Sequence, residues 1–408
     1  MKSILKRNSA HGCATAALSK KKGLSVRRFD LRDEWASLGA RARRRRWYHQ
    51  LESNADDLPL FIDGPQHSSF AVPDSLRDIF PEGFPANAFT TLEQAGIQVG
   101  QGLRTGCNRF FYVTACDSLE DGFVRVEASS HFGNRHFAVP MDAVRPVLRR
   151  QSEVASVEDT EASEGRVLDL RGWILPEDYN AVADARSAYT ANGETLPRVM
   201  PDELADYVRI AAASRLEESN GKRIPELSAV RTNVRIPRNG KTAPRFWYML
   251  PDFAPRHLPA AFVPRIIQGL AWVESNRDPP FLIDANFSTF WTTQEGWSRH
   301  ALKALLNSTW SRTFMEALGT PLGGGALKLE ATHLRHMPVP ILPPAAREKL
   351  DNAGRHLTRD APHGRSRIDE IILTSVLSSH PTSLSVSALT DAMNERARNL
   401  SSARQRAA

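Results

Sequence analysis

The chain has 408 residues, 41% of them hydrophobic and 24% charged, and its formal net charge of +7 comes mostly from arginine. These are values of a folded chain long enough for two or three domains, not of a disordered one. No apolar run reaches the roughly eighteen residues of a membrane span, and Cys13, Cys107 and Cys116 form neither a CxxC pair nor a His/Cys cluster, which argues against a membrane partner, a disulfide framework and a metal site and fits a reduced, cytoplasmic protein.

Residues 1–88 are expected to form a basic N-terminal arm followed by a helical or linker segment. The first 28 residues carry eight basic side chains and no acidic one. That composition is shared by transit peptides, but sustained amphipathic periodicity and an apolar signal core are both missing, so an unstructured arm is expected. Over 30–54 the pattern predicts a helix, capped by Asp30 or Asp33. It carries a cationic run, Arg41 with Arg43 to Arg46, ahead of Trp47 and Tyr48.

From Phe89 to Val147 the runs "FFYVTA", "GFVRVEAS" and "RHFAVP" are aromatic and β-branched between Gly/Asp/Asn turns, which predicts an antiparallel meander. Residues 150–165 are polar and acidic and read as an exposed loop. "LADYVRIAAASRLEES" has helical spacing. Asn239-Gly240 is a hairpin signal between "NVRIPR" and "RFWYML". "AAFVPRIIQGLAWVES" and "FLIDANFSTFWTT" read as strands, and "SRHALKALLNSTWSRTFMEALG" as one helix. A glycine loop, "PLGGGALKLE", follows, then C-terminal helices over 346–395 and a polar, disordered tail over 396–408. The fold class expected is α+β: a β-rich domain with packed helices over 89–345, flanked by helical N- and C-terminal segments, without a complete Rossmann-like domain.

The stretch "GQGLRTGCNRFFYVT" poses the first question of function. Gly100, Gly102 and Gly106 miss the dinucleotide spacing by one residue, and a strand rather than a helix is expected after them. A Walker loop would end in GK[ST], where Cys107 stands. Glycines that shape a turn explain the pattern better than a phosphate cradle. "DPPF", Asp278, Pro279, Pro280 and Phe281, matches the loose pattern of the target-base pocket in amino-methylating DNA enzymes. In such a pocket the first side chain and a rigid carbonyl accept from the amino group, and the ring stacks on a flipped base. The polar "ESNR" before it is not the buried strand that pocket needs, and a rigid turn is expected. His333 and His336 lack a carboxylate or cysteine to complete a metal site or triad, and no GxSxG nucleophile motif occurs.

Several motifs taken in order are more specific than any one alone. "GIQVGQGLRTGCNRFFYV", then "LRGWILP", then "ALLNSTWSRTFMEALGTPLGGGALKLEATHLRHMPVP" resembles the C-terminal target-recognition region of adenine-specific (N6) DNA methyltransferases of restriction-modification systems. Gly102, Thr105, Gly106, Asn108 and Phe111 match a G-x-x-T-G-x-N-x-x-F opening. Leu305 to Ser308, Gly323 to Leu329 and Met337 to Pro340 match the motifs that close the region, and "RSRIDEIIL" resembles the helix that usually follows. The family's S-adenosylmethionine loop and NPPY-type tetrapeptide are not found in this chain.

The resemblance therefore implies a DNA-specificity portion with no cofactor of its own. S-adenosylmethionine is expected on a catalytic partner chain, and double-stranded DNA as the other partner. Expected DNA-binding residues are Arg104, Thr105 and Asn108 in the opening loop, Arg235, Arg238 and Lys241 on the hairpin, and Lys328 after the triple glycine. Gly102, Gly106, Gly323, Gly324 and Gly325 shape the loops. No catalytic residue is expected. The alternatives are a divergent methyltransferase using Asp278 to Phe281, or an inactive remnant of one.

Overall fold

The structure, a computed structural model, describes residues 4–7, 13–20, 23–30, 56–58, 73–80, 88–157, 164–235, 242–293, 296–359, 362–377 and 385–406. The architecture is mixed α and β, with several small sheets. Among the described residues the apolar side chains gather in two large hydrophobic cores, and both draw on the interval 89–345.

The first core is assembled from chain segments far apart in sequence. A four-stranded antiparallel sheet runs in the order Glu274–Ser275, Ala261–Pro264, Phe287–Thr292, Ile97–Gln101. Helices Arg299–Asn307, Thr309–Leu318, Pro344–Arg355, Pro362–Leu377 and Val386–Arg406 accompany it. Trp310 is 2% exposed, stacks on Phe89 at 4.3 Å, and donates its Nε1–H to the Pro338 carbonyl at 2.8 Å. Side chains of that size each stabilise a core by about 1.5–3 kcal/mol on burial.

The run expected as one helix is two. Ser308 adopts extended backbone (ψ 155°) and its Oγ accepts from the Ser311 N–H at 3.2 Å, capping the second helix. Ser298 caps the first in the same way, through Ala301 N–H at 3.0 Å. The apolar periodicity carries across the break, and that is why periodicity alone reads it as continuous. Helix Pro344–Arg355 lies against Arg299–Asn307 so closely that a Cβ on Gly354 would sit 2.0 Å from the His300 carbonyl oxygen.

The second core occupies residues 103–250 together with Leu282. Its sheet places Val144–Leu148, Gly165–Leu168, Tyr112–Ser118, Phe123–Glu127 and His136–Pro140 side by side, all antiparallel. The last three are the expected meander. The first begins later than expected, because "NRFF" forms a one-turn helix, Asn108–Phe111, whose Phe110 and Phe111 N–H groups both donate to the Cys107 carbonyl at 3.1 Å. Helix Asp202–Ala213 covers the sheet, and its Tyr207 stacks on Phe137 at 4.3 Å and donates to the Phe110 carbonyl at 2.9 Å. This helix stops at Ala213, short of the expected end, where Ser214 turns to extended backbone and Arg215–Leu216 forms a small ladder with Lys222–Arg223.

Three further expectations need correction. The polar tail after Arg396 is not disordered: helix Val386–Arg406 continues through it, with Ala397, Ser401 and Arg404 buried. Arg404 is held inside by an ion pair with Glu316 (2.9 Å, side chains 3% and 2% exposed), which composition could not reveal. The 150–165 loop begins as a 3-10 helix, Gln151–Val157, with Glu153 paired to Arg149 at 3.1 Å; residues 158–163 lie outside the described residues. The basic arm contains strands Ile4–Arg7, Cys13–Lys20 and Gly23–Asp30, which pair with Asp56–Leu58 in a four-stranded antiparallel sheet. Backbone pairing supplies its own hydrogen bonds whatever the charge of the side chains. The helix expected over 30–54 falls, beyond Asp30, outside the described residues.

Candidate nucleic-acid interface

The opening loop is the seam between the two cores. Strand Ile97–Gln101 belongs to the first sheet, and Leu103 already belongs to the second core. Between them Gly102 lies flat on the backbone of residues 283 and 284: a Cβ there would stand 2.3 Å from both the Ile283 and Asp284 carbonyl oxygens. Leu103 N–H donates to the Ile283 carbonyl at 2.7 Å, and Ala285 N–H donates back to Leu103 at 3.0 Å. Leu282–Ile283 also forms the parallel edge of the second sheet, against Val147 and Leu148. A small third cluster, Leu148, Phe262, Phe281, Ile283 and Phe287, fills the junction.

Polar chemistry is buried in the same seam. Tyr112 donates its hydroxyl to Asp284 Oδ2, and Asn286 N–H donates to Asp284 Oδ1 at 2.7 Å. Burial pushes the Asp284 carboxyl up, against the pull of these donors, and raises the Tyr112 hydroxyl as well. Asn286 reaches across and donates its side-chain amide to the Arg149 carbonyl at 3.0 Å.

The remainder of the loop is a brace. Thr105 is 1% exposed; its hydroxyl donates to Asn108 Oδ1 at 2.7 Å and accepts from Cys107 N–H at 3.2 Å. It is therefore a turn-forming residue and cannot touch a partner in this conformation. Gly106 takes φ +87°, a left-handed value, facing the Ala229 and Val230 backbone. Arg104 and Asn108 are exposed, and Arg104 donates to Gln101 Oε1. Cys107 is buried, and burial pushes its thiol up.

The other expected site residues separate. Arg235 is exposed and its backbone exchanges hydrogen bonds with Arg245 (2.9 and 2.8 Å), so the two arms of the expected hairpin do meet; Arg238, Lys241 and the Asn239-Gly240 turn lie outside the described residues. Gly323 and Gly324 are exposed, whereas Gly325 is buried against Gln405, whose Cα would lie 3.1 Å from an added Cβ. Lys328 is paired with Glu330 at 2.6 Å.

Lys328 also lines a cavity of about 330 Å³ with Arg150, Gln151, Arg265, Asn286 and Phe287. Arg150 comes from the second core's side of the seam, and Arg265, Asn286 and Lys328 from the first. No carboxylate lines it. Glu330, just behind, is shared between Lys328 and Arg265 (2.6 and 3.2 Å), and the Lys328 hydrogen bond, with the charges of Lys328, Arg265 and His333, holds its carboxyl below the usual range against the upward push of burial. No local motif marks Arg150, Gln151, Arg265 or Asn286. "LRRQ" and "VPRI" are unremarkable basic stretches until the seam sets them side by side.

A second cleft, of about 590 Å³, lies by the other end of strand Phe287–Thr292 and holds Asp278 and Pro280 with Arg277, Trp291, Arg299 and His300. The DPPF segment is a turn between Glu274–Ser275 and Leu282–Ile283. Asn276 braces it, accepting from Phe281 N–H at 3.0 Å and donating to the Phe281 carbonyl at 2.9 Å. Phe281 is only 5% exposed, and the Arg277 guanidinium covers its ring at 4.5 Å. A ring so enclosed cannot stack on a flipped base in this conformation.

Among the described residues no three or more His, Cys, Asp or Glu side chains are placed to hold a metal ion, and no helix is long and apolar enough to cross a membrane. No protein-family model and no curated protein matches the sequence.

Proposed function

We propose that this chain is the DNA-binding specificity portion of an N6-adenine DNA methylation or restriction-modification system. It holds duplex DNA in register while a catalytic partner chain, carrying S-adenosylmethionine, flips the adenine and transfers the methyl group. The observation that carries this reading is the way the ordered motifs come together. "LLNS", "GGGALKL" and "MPVP" pack into one core, and the opening motif leaves that core to enter the other.

Their contacts are direct. Asn307 of "LLNS" holds the Val273 backbone through two hydrogen bonds, 2.9 and 2.7 Å. The Leu329 carbonyl accepts from Ser288 Oγ at 2.7 Å, and Ser288 pairs with Gln101 of the opening strand. Pro338–Pro340 pairs with Phe89–Thr91. Motifs that serve one scaffold are expected to be retained together, which is what the resemblance requires. The scaffold leaves Arg104, Arg150 and Arg235 exposed for phosphate contacts, the positioning half of duplex recognition.

The test is binding of the purified chain to duplex DNA across a salt series, alone and with a candidate catalytic chain from the same system. Affinity that falls linearly in log–log form with salt supports the proposal. Absence of salt-sensitive binding in both arms refutes it.

A further inference from the structure

We infer that the 330 Å³ cavity at the seam is a phosphate-binding site that clasps both halves of the molecule at once. Three cations face it from separate elements. Arg150 follows strand Val144–Leu148 of the second sheet, Arg265 follows Ala261–Pro264 of the first, and Lys328 ends the short strand Leu327–Lys328. Glu330 pairs with Lys328 and Arg265 from behind rather than from the lining. Arg150 makes no ion pair among the described residues; its backbone N–H, not its guanidinium, is engaged by Glu153, at 3.3 Å. Asn286 and Gln151 add neutral hydrogen-bonding groups at the rim.

Such a site suits a tetrahedral oxyanion whose several oxygens can accept from donors on different sides. A guanidinium offers paired donors to phosphate oxygens, and a lysine ammonium adds a point charge beside them. The volume lies within the range of small-ligand pockets, large enough for a phosphate with part of an attached sugar. A carboxylate ligand has two oxygens in one plane and would satisfy fewer of the donors.

The position gives the site its consequence. Arg150 is one residue from Arg149, whose carbonyl receives the Asn286 amide across the seam. Arg265 donates to the Ala285 carbonyl at 3.3 Å, next to the Asp284–Tyr112 hydrogen bond. A phosphate bound by Arg150 on one side and by Arg265 and Lys328 on the other adds a further tie between the two cores, beside the Tyr112–Asp284 and Asn286–Arg149 hydrogen bonds and the apolar cluster that already join them. A phosphodiester of a nucleic-acid backbone is the source favoured by the DNA-recognition reading, on which that choice of source rests. A free phosphate compound shares the chemistry.

Two arms separate these. In the first, inorganic phosphate is compared with chloride at matched ionic strength by thermal unfolding of the full chain. The second measures a fluorescent 20-base-pair duplex by anisotropy over a salt series. Both use the wild type and the Arg150→Gln, Lys328→Gln and double variants. Arg150 is exposed and unpaired, so its replacement leaves folding intact, which circular dichroism verifies.

The expected result is a phosphate-specific rise in melting temperature that the double variant lacks, with a salt slope lowered by about 0.9 for each cation removed. Phosphate stabilising wild type and double variant equally, or neither, overturns the site. If that occurs while the wild-type duplex slope persists unchanged in the variants, DNA recognition stands without it. If the phosphate effect is present and lost in the variants, but the wild type shows no salt-sensitive duplex binding either alone or with the catalytic chain, the site stands for a free phosphate compound and the DNA reading falls.

Discussion

Gly102→Ala is the sharpest probe of the seam. The added methyl would lie 2.3 Å from the carbonyl oxygens of Ile283 and Asp284, whereas ordinary contact begins near 3.4 Å. Both obstacles are backbone, so relief requires the 283–285 segment to move by roughly 1 Å. That shift breaks the Leu103–Ile283 and Ala285–Leu103 hydrogen bonds, now 2.7 and 3.0 Å. Overpacking costs about 1–3 kcal/mol, and two buried backbone hydrogen bonds add about 1 kcal/mol each, for a total on the order of 3–5 kcal/mol. Gly106→Ala, at φ +87°, costs about 1–2 kcal/mol through conformation, and the Ala229–Val230 backbone 3.1 Å from the added Cβ adds to it. Gly323→Ala, with open space around it, stays within about 0.5 kcal/mol of wild type. Urea unfolding followed by tryptophan fluorescence ranks the three. A Gly102→Ala midpoint no lower than that of Gly323→Ala would refute the close approach and with it the seam.

Arg404→Ala strands Glu316 in the core and lowers stability by about 3–5 kcal/mol, while Arg404→Met combined with Glu316→Leu recovers most of the loss; urea midpoints decide, and a mild single-variant effect returns the tail to a peripheral role. Burial pushes the Asp369 carboxyl up to about 6, against the lowering pull of Thr309 N–H, the Thr309 hydroxyl, Arg365 and Arg312. The folded state therefore holds a proton that the unfolded state has released, so this group's contribution is full below about pH 4 and is lost as pH rises to about 6, by about 3 kcal/mol at most. Asp369→Asn, which keeps an acceptor for Thr309 N–H, flattens that part of the stability–pH curve; an unchanged curve contradicts the assignment. Thr105→Val removes the brace at about 1 kcal/mol and leaves the salt slope of duplex binding unchanged, whereas Arg104→Gln lowers the slope by about 0.9; equal slopes for both variants would remove Arg104 from the interface. A thiol reagent applied to the folded chain modifies the exposed Cys116 and spares the buried Cys107, as peptide mass spectrometry can verify.

Local signals were legible where one segment supplied the whole cause. The strands after Tyr112 follow from β-branched and aromatic runs between turns, and the rigid DPPF turn from its prolines. Boundaries that depend on capping were harder to read. Ser298 and Ser308 are residues that favour N-caps, and each takes extended backbone and caps a helix, but the apolar periodicity running across Ser308 masks the break there. The tail after Arg396 was misread for a related reason: its polar composition hides that Arg404 has a buried carboxylate waiting on another helix.

By itself, the sequence determined the basic balance, the mixed α and β content, the glycine-shaped opening turn and the ordered motifs that resemble a DNA-specificity region. Each of these depends on residue type or on spacing over a few positions. Only the tertiary structure decided that the described residues gather round two large cores, that Thr105 faces inward while Arg104 faces out, and that Arg150, Arg265 and Lys328 share one cavity. Those facts depend on pairings between residues 102 and 284, 148 and 283, and 288 and 329, which no local pattern encodes. The two-residue strand Leu282–Ile283 is the smallest element involved, and by lying against both sheets it turns an unremarkable glycine at 102 into the point where the molecule is joined.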